Sequence, residues 1–228
     1  ETLKLDVEKF IFVNEVTGQV FGISHCVVDG SAANVLADLV EIDTYESGLL
    51  HKESNGNLPR KVFSGIDKTR SLQYSAGKRL PAPYEPRLFN GWLSWKQQKS
   101  SNKKNQFLFA FVPLKEYKGT REAVRIDGKH TVGETTGLYI ITEVAPNICT
   151  VLRIQSVDLK ETLTLPRAIK IIFCKSNLKW ADKLKEKFKR NGEEVDAEVR
   201  RALVERMREG SELEEDQKKV FGELEELF

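Results

Sequence analysis

The sequence is short of the residues that most often carry redox, metal or disulfide chemistry. Its three cysteines, Cys26, Cys149 and Cys174, are odd in number, widely separated and set in apolar runs. That pattern argues against a disulfide framework and against the paired C-x-x-C spacing of a zinc site, and reads instead as buried thiols in a reducing compartment. The three histidines, His25, His51 and His130, share no metal-ligand spacing. No glycine-rich loop runs into Lys-Ser or Lys-Thr in the order that cradles a phosphate, so neither a metal nor a cofactor is expected. Long hydrophobic runs are missing too, since none approaches the ~18 apolar residues of a membrane span. The opening residues ETLKLDVEKF lack the basic and apolar regions of a secretory signal, and they lack an initiator Met. The expectation is a cytoplasmic piece of a longer, multidomain protein.

What is present describes an ordinary globular chain. Its 228 residues give room for one main domain and not for the two lobes of a kinase or a dehydrogenase. The formal charge of +2 hides an asymmetry: residues 191–228 hold 13 acids against 6 bases, leaving the first 190 residues with a net +9. A basic body suits anionic lipid headgroups or nucleic acid, and is also what a plain solvated surface can look like.

The first 160 residues read as β-strands broken by turns. Segments 9–16 and 19–28 flank Thr17-Gly18 as a hairpin. Ala32, Val35, Leu36 and Leu39 then fall at helical spacing behind Ser31 as N-cap, and 44–57 holds a second short helix. Strand patterns return over 61–66, 71–80, 88–98, 106–114, 138–144 and 148–157. Phe107, Phe109 and Phe111 alternate, aiming a row of rings at one face of the sheet. After Pro166, Ile169, Ile172, Phe173, Ser176, Trp180, Leu184 and Phe188 keep helical spacing with lysines on the other faces, up to Asn191-Gly192. Two shorter helices, 196–209 and 212–227, complete the reading.

One string looks enzymatic. His25-Cys-Val-Val-Asp29-Gly30 has the H-x-x-x-D-G form in which acyltransferases place a general base. The same residues also suit a strand followed by a strand-to-helix turn, and the aromatic-Gly segment that accompanies the motif in those enzymes is absent. Arg87, Arg125 and Arg153 fall in or beside strands; solvent is the simpler place for each, and a buried one would be a polar anchor for a ligand. Phe107-Leu-Phe109-Ala-Phe111 has no interleaved base, so a nucleic-acid-binding sheet is not expected.

Three landmarks together carry a resemblance. Val20-Phe-Gly22 leading into Val27-Val-Asp29-Gly-Ser-Ala-Ala-Asn-Val35 resembles the second strand and following helix of START (StAR-related lipid transfer) domains. Leu80-Pro-Ala-Pro-Tyr-Glu-Pro-Arg87-Leu-Phe89, ending at Trp95, resembles their proline-arginine-phenylalanine segment. Ser156-Val-Asp158-Leu-Lys160 followed by Leu165-Pro-Arg167 resembles their last strand and the start of their lid helix. The resemblance covers about residues 9–190. It departs from the family at Glu161-Thr-Leu-Thr164, where a glycine is usual, and in an N-terminal helix that is missing or reduced to 3–8.

The resemblance implies an α+β helix-grip fold, a curved antiparallel β-sheet gripping a long C-terminal α-helix, over 1–190, with an acidic helical extension over 191–228. It implies a tunnel that binds one lipid or sterol-like ligand, for transfer or sensing, without covalent chemistry. The candidate tunnel contacts are Trp92, Trp95, Phe109, Tyr139, Arg153 and Gln155, with Ile169, Ile172 and Phe173 from the lid helix; strand parity turns only one of Trp92 and Trp95 inward. An anionic membrane met by the lysines of the C-terminal helix, and a protein partner for 191–228, are the further expected contacts. Two other readings stay open: a regulatory module with a closed core, and, more remotely, an acyltransferase using His25.

Overall fold

A computed structural model of the chain describes residues 7–208, except 17–18, 43, 57, 68–70, 81, 83, 100–103 and 161–166. The expected helix 212–227, with Leu213, Phe221, Leu224 and Leu227, lies outside the described residues.

Strands β1 (Glu8–Val13) and β2 (Val20–Val28) form the first hairpin. Two helices follow, α1 (Ala32–Val40) and α2 (Tyr45–Asn55). Each starts at a hydroxyl cap: Asn34 N–H donates to Ser31 Oγ at 3.2 Å and Ser47 N–H to Thr44 Oγ1 at 3.2 Å. Ala32, Val35, Leu36 and Leu39 are the buried face of α1, as their spacing predicts. Helix α2 is barely amphipathic and leaves Tyr45, Leu49 and Leu50 exposed.

Six strands complete the sheet: β3 (Arg60–Asp67), β4 (Ser71–Lys78), β5 (Arg87–Lys99), β6 (Asn105–Pro113), β7 (Thr131–Ala145) and β8 (Ile148–Asp158). Their order across the sheet is β1-β2-β8-β7-β6-β5-β4-β3. All these neighbours are antiparallel, and the start of β7 also runs briefly parallel to β5 from Arg87↔Thr131 to Phe89↔Gly133. The pairing of β2 with β8 brings the first hairpin beside the last strand. On the concave face the period of two aligns Cys26, Leu93, Phe109, Tyr139, Ile141 and Val151 in one core.

Helix α3 (Arg167–Lys187) lies across that face, closest to β2. Its buried stripe is Cys174, Leu178, Ala181 and Leu184. Ile172, expected in the stripe, is 64% exposed. At 100° per residue it sits nearly opposite Cys174, and the small Cys and Ala side chains give the closer approach to the sheet. Ion pairs hold the helix laterally, Lys187 to Asp38 of α1 at 2.6 Å and Lys9 of β1 to Asp182. Among the described residues no helix is long and apolar enough to cross a membrane.

Helix α4 (Gly192–Arg208) starts four residues earlier than its sequence pattern suggests, because Asn191 caps it: Asn191 Oδ1 accepts from Glu193 N–H at 3.1 Å. Val195 and Val199 pack on Val27, Val144, Ala145 and Ile148 at the end of the β7–β8 hairpin.

Candidate functional site

The concave face and the first half of α3 do not close completely on each other. Between them lies a cavity of about 230 Å³, bounded by Tyr74, Ala76 and Lys78 of β4, Phe89 of β5, and Thr135, Gln155 and Val157 of β7 and β8. Phe173 and Asn177 of α3 cover it. Gln155, Val157, Phe173 and Asn177 also border a second cavity of about 20 Å³, where they meet Gly22, Arg153, Lys170 and Leu178; the smaller space holds roughly one water. These residues meet because β8 places Arg153, Gln155 and Val157 on one face by alternation, while α3 returns Lys170, Phe173/Cys174 and Asn177/Leu178 to that face every turn.

The polar groups of the site form an ordered chain. Gln155 Nε2–H donates to Thr135 Oγ1 at 2.9 Å, and Thr135 donates to the Ser156 carbonyl at 3.2 Å. The Gln155 amide oxygen accepts from Arg153, whose Nη1 donates to the Asn177 carbonyl at 2.9 Å. Arg153 is only 7% exposed, its Nε–H has no acceptor among the described residues, and no described carboxylate pairs with it. Its guanidinium lies 5.4 Å from the Tyr139 ring centre and 5.0 Å from that of Trp180, and these two rings meet edge-on at 5.0 Å. Each desolvated cation–π contact is worth about 2 kcal/mol or more and offsets part of the several kcal/mol for desolvating an ion, the two hydrogen bonds offsetting more. Arg153 is a buried cation with one unused N–H donor and no counter-ion among the described residues. Burial also holds the Lys78 ammonium below its ordinary pKa, with Lys183 adding in the same direction.

A wider groove of about 590 Å³ lies on the far side of this stack, between α1, α2 and α3. Leu39, Ile42, Leu50, Tyr139, Trp180 and Lys183 line it. Tyr139 and Trp180 face the groove, and Arg153 behind them faces the small cavity, so the stack is the wall between the two spaces.

His51 closes one end of the larger cavity from α2. Its Nε2 lies 3.0 Å from the Leu58 carbonyl, and burial lowers its pKa although that carbonyl opposes the shift. The neutral ring donates through Nε2 and receives Asn55 Nδ2–H at Nδ1, 3.3 Å away. Both side chains serve to pin the end of α2.

The nine expected tunnel residues separate by strand and helix geometry. Arg153, Gln155 and Phe173 border the inner cavities, and Tyr139 borders the groove. Trp95 and Phe109 are on the concave face but belong to the packed core. Trp92 is a correction: parity turns it to the opposite face, where it packs at a tilt against Tyr117 with ring centres 5.1 Å apart. Ile172 points away from the cavity, and Ile169 lies in α3 with its side chain outside the described residues. The expectation that strand arginines face solvent holds for Arg125 and fails for Arg87 and Arg153. Arg87, 4% exposed, is held by the Leu159 carbonyl at 2.7 Å. Thr135, Asn177, Lys170 and Lys78 escaped the sequence reading, although Thr135 shares its parity with Tyr139 and Asn177 follows Phe173 by one turn.

The H-x-x-x-D-G string has a structural account. His25 lies on the face of β2 opposite the cavity, with Nδ1 3.6 Å from Glu8 of β1. Asp29 receives the Arg190 N–H at 3.3 Å, and a Cβ at Gly30 would sit 2.7 Å from the Phe188 ring. The end of the string thus seats the end of α3. Among the described residues, no group of His, Cys, Asp and Glu is placed to hold a metal ion.

No family model and no curated protein sequence matches the chain. Solved structures do. The chain is similar to the human StarD13 (DLC2) lipid transfer and protein localization domain, with TM-score 0.58 and 12% identity, over 82% of this chain and 90% of that one. It is also similar to a fragment of the STAR-related lipid transfer protein from Xanthomonas axonopodis, with TM-score 0.52 and 10% identity, over 82% of this chain and 93% of that one. The likeness is one of fold: this is the START-type helix-grip arrangement, an antiparallel sheet curved around its C-terminal helix.

Proposed function

We propose that the domain binds one hydrophobic ligand between the concave face of the sheet and α3, and that it serves lipid transfer or lipid sensing. The observation that carries this reading is the cavity of about 230 Å³ under Phe173 and Asn177. Its wall combines Tyr74, Ala76, Phe89, Val157 and Phe173 with the polar groups of His51, Lys78, Thr135, Gln155 and Asn177, apolar surface and converging polar groups that suit an amphiphilic small ligand. The fold supports the same reading, because α3 is joined to the sheet mainly along β2 and can move without unpairing any strand. We take the groove beyond the Arg153–Tyr139–Trp180 stack as the route of entry, with that stack as the barrier a ligand would have to move aside. No covalent step is assigned, and His25 is read as a surface residue of β2.

Native mass spectrometry of the purified chain tests this directly. A co-purified or added lipid is expected at one copy per chain, lost on delipidation and regained on mixing. A chain that stays at its bare mass after exposure to fatty acids, sterols and phospholipids would sink the proposal.

We also infer that the outward face of α3 meets anionic membrane. Lys175 and Lys179 are exposed there, and Ile172 stands among them. Lysines around an exposed apolar residue would combine attraction to anionic headgroups with the insertion of one apolar side chain. Residues 191–228 are taken as an accessory segment of the same domain, its α4 seated on the β7–β8 hairpin and its acidic remainder a site for a protein partner.

A further inference from the structure

The charge of the cavity walls is one-sided. The described residues bordering the two inner spaces include Arg153, Lys170 and Lys78, and not one Asp or Glu. Asp158 is the carboxylate whose field reaches Lys170, and it is engaged by Lys160, 2.8 Å away. The central cation is Arg153, nine-tenths buried, with an unpartnered Nε–H and with its other contacts made to neutral oxygens and ring faces. These contacts leave the Nε–H without an acceptor and the charge without a counter-ion among the described residues, and an anion beside it would supply both.

Resting on the lipid-binding reading above, we propose that the ligand is an amphiphile with an anionic head on a single apolar chain, its head held by Arg153 and its chain lying in the larger cavity under Phe173. Size and charge agree. A space of about 230 Å³ falls below the ~300 to 1,000 Å³ of common ligand pockets, which favours a short single chain. Gln155 is already fixed through Thr135, so its amide oxygen holds the guanidinium at the cavity wall before any ligand arrives. A neutral sterol or alcohol would leave the charge as it is; a carboxylate or a phosphate monoester would pair with it.

The test compares ligands that share a chain and differ in the head. Octanoate, octyl phosphate and octanol are titrated into the full chain by calorimetry. At least one of the two anions is expected to bind one-to-one and about tenfold or more tightly than octanol, the scale of a charge-assisted hydrogen bond. The tighter of the two names the head as carboxylate or phosphate. Arg153→Met is expected to erase the difference between anion and alcohol, with folding checked by far-UV circular dichroism. The comparison within the parent chain decides the matter even if that variant fails to fold. Octanol binding as tightly as both anions, or an anion preference that survives in folded Arg153→Met, overturns the charge assignment while leaving the lipid-binding reading intact. If none of the three binds and sterols bind no better, both readings fall.

Discussion

Gly22 shows how one residue sets the distance between the sheet and its helix. A Cβ there would stand 2.8 Å from Cys174 Sγ and 3.1 Å from Leu178 Cδ2, so only a glycine lets α3 settle this closely on β2. Gly22→Val is expected to cost about 1–3 kcal/mol, the usual penalty for overpacking a fitted contact. Urea unfolding followed by circular dichroism measures it, and a loss under about 0.5 kcal/mol would mean that α3 slides freely to accommodate the side chain. The glycine was visible in the sequence as part of a landmark, whereas its helix partners were not. The arginines show the same limit. In β8, Leu152 and Ile154 are as apolar as Val151, so both faces look buried and the alternation cannot say where Arg153 points. The answer came from pairing: β2 and β7 flank β8, and α3 covers the face that carries Arg153. Buried thiols, by contrast, were legible from their apolar contexts, and desolvation pushes Cys26 up to about 11 and Cys149 up to about 12.

At the scale of elements, strong patterns gave reliable elements and mixed patterns gave errors. Helix α1 and strands β2, β5, β6 and β8 stand within a few residues of their expected bounds. The first half of β7 was missed because Gly133-Glu-Thr-Thr-Gly137 is polar and glycine-rich; pairing with β8 through Glu134↔Asp158 and Gly137↔Gln155 makes it a strand. The stripe of α3 was misread because its ring of large apolar residues is wide, and the helix turns its small ones to the sheet. Asn191-Gly192, expected to end α3, also opens α4. Arg190 fixes that junction, donating to the Asp29 carbonyl at 3.0 Å, to the Asn147 carbonyl at 3.0 Å and to the Glu198 carboxylate at 2.9 Å. Ending the chain at 190 removes Val195 from its contacts with Ile148 and Val27. Since burying one valine is worth about 1.5–3 kcal/mol, the truncated chain is expected to lose about 2 kcal/mol in urea unfolding. Equal stability with and without 191–228 would show α4 to be a passive appendage.

For the whole molecule, the distribution of charge separates an inner from an outer task. The cations that face the cavity are Arg153, Lys170 and Lys78, while Lys175 and Lys179 project from α3 on the side away from the sheet. Ile172 stands on that outer side, and Tyr45 and Leu49 of α2 are exposed on the helix that shares the groove with α3. A surface of this kind meets a membrane through two additive terms, the insertion of a few apolar side chains and the attraction of lysines to anionic headgroups. Each lysine adds about 1 kcal/mol near the surface and is screened over ~8 Å at physiological salt, so two or three give reversible docking and no permanent anchor. The inner and outer sets can be changed separately. Lys175→Glu with Lys179→Glu is expected to weaken binding to phosphatidylserine vesicles by about tenfold or more and to flatten its salt dependence. Ile172→Ser is expected to weaken binding at all salt concentrations, because the apolar term is not screened. Neither change touches the cavity walls, so uptake of lipid from solution should continue in both. Vesicle sedimentation over a salt series reads the first pair of effects, and native mass spectrometry reads the second. Parent chain that stays in the supernatant with anionic vesicles, or sediments equally after the charge reversals, would remove the membrane role from α3 and leave the cavity as the molecule's one lipid-facing feature among its described residues.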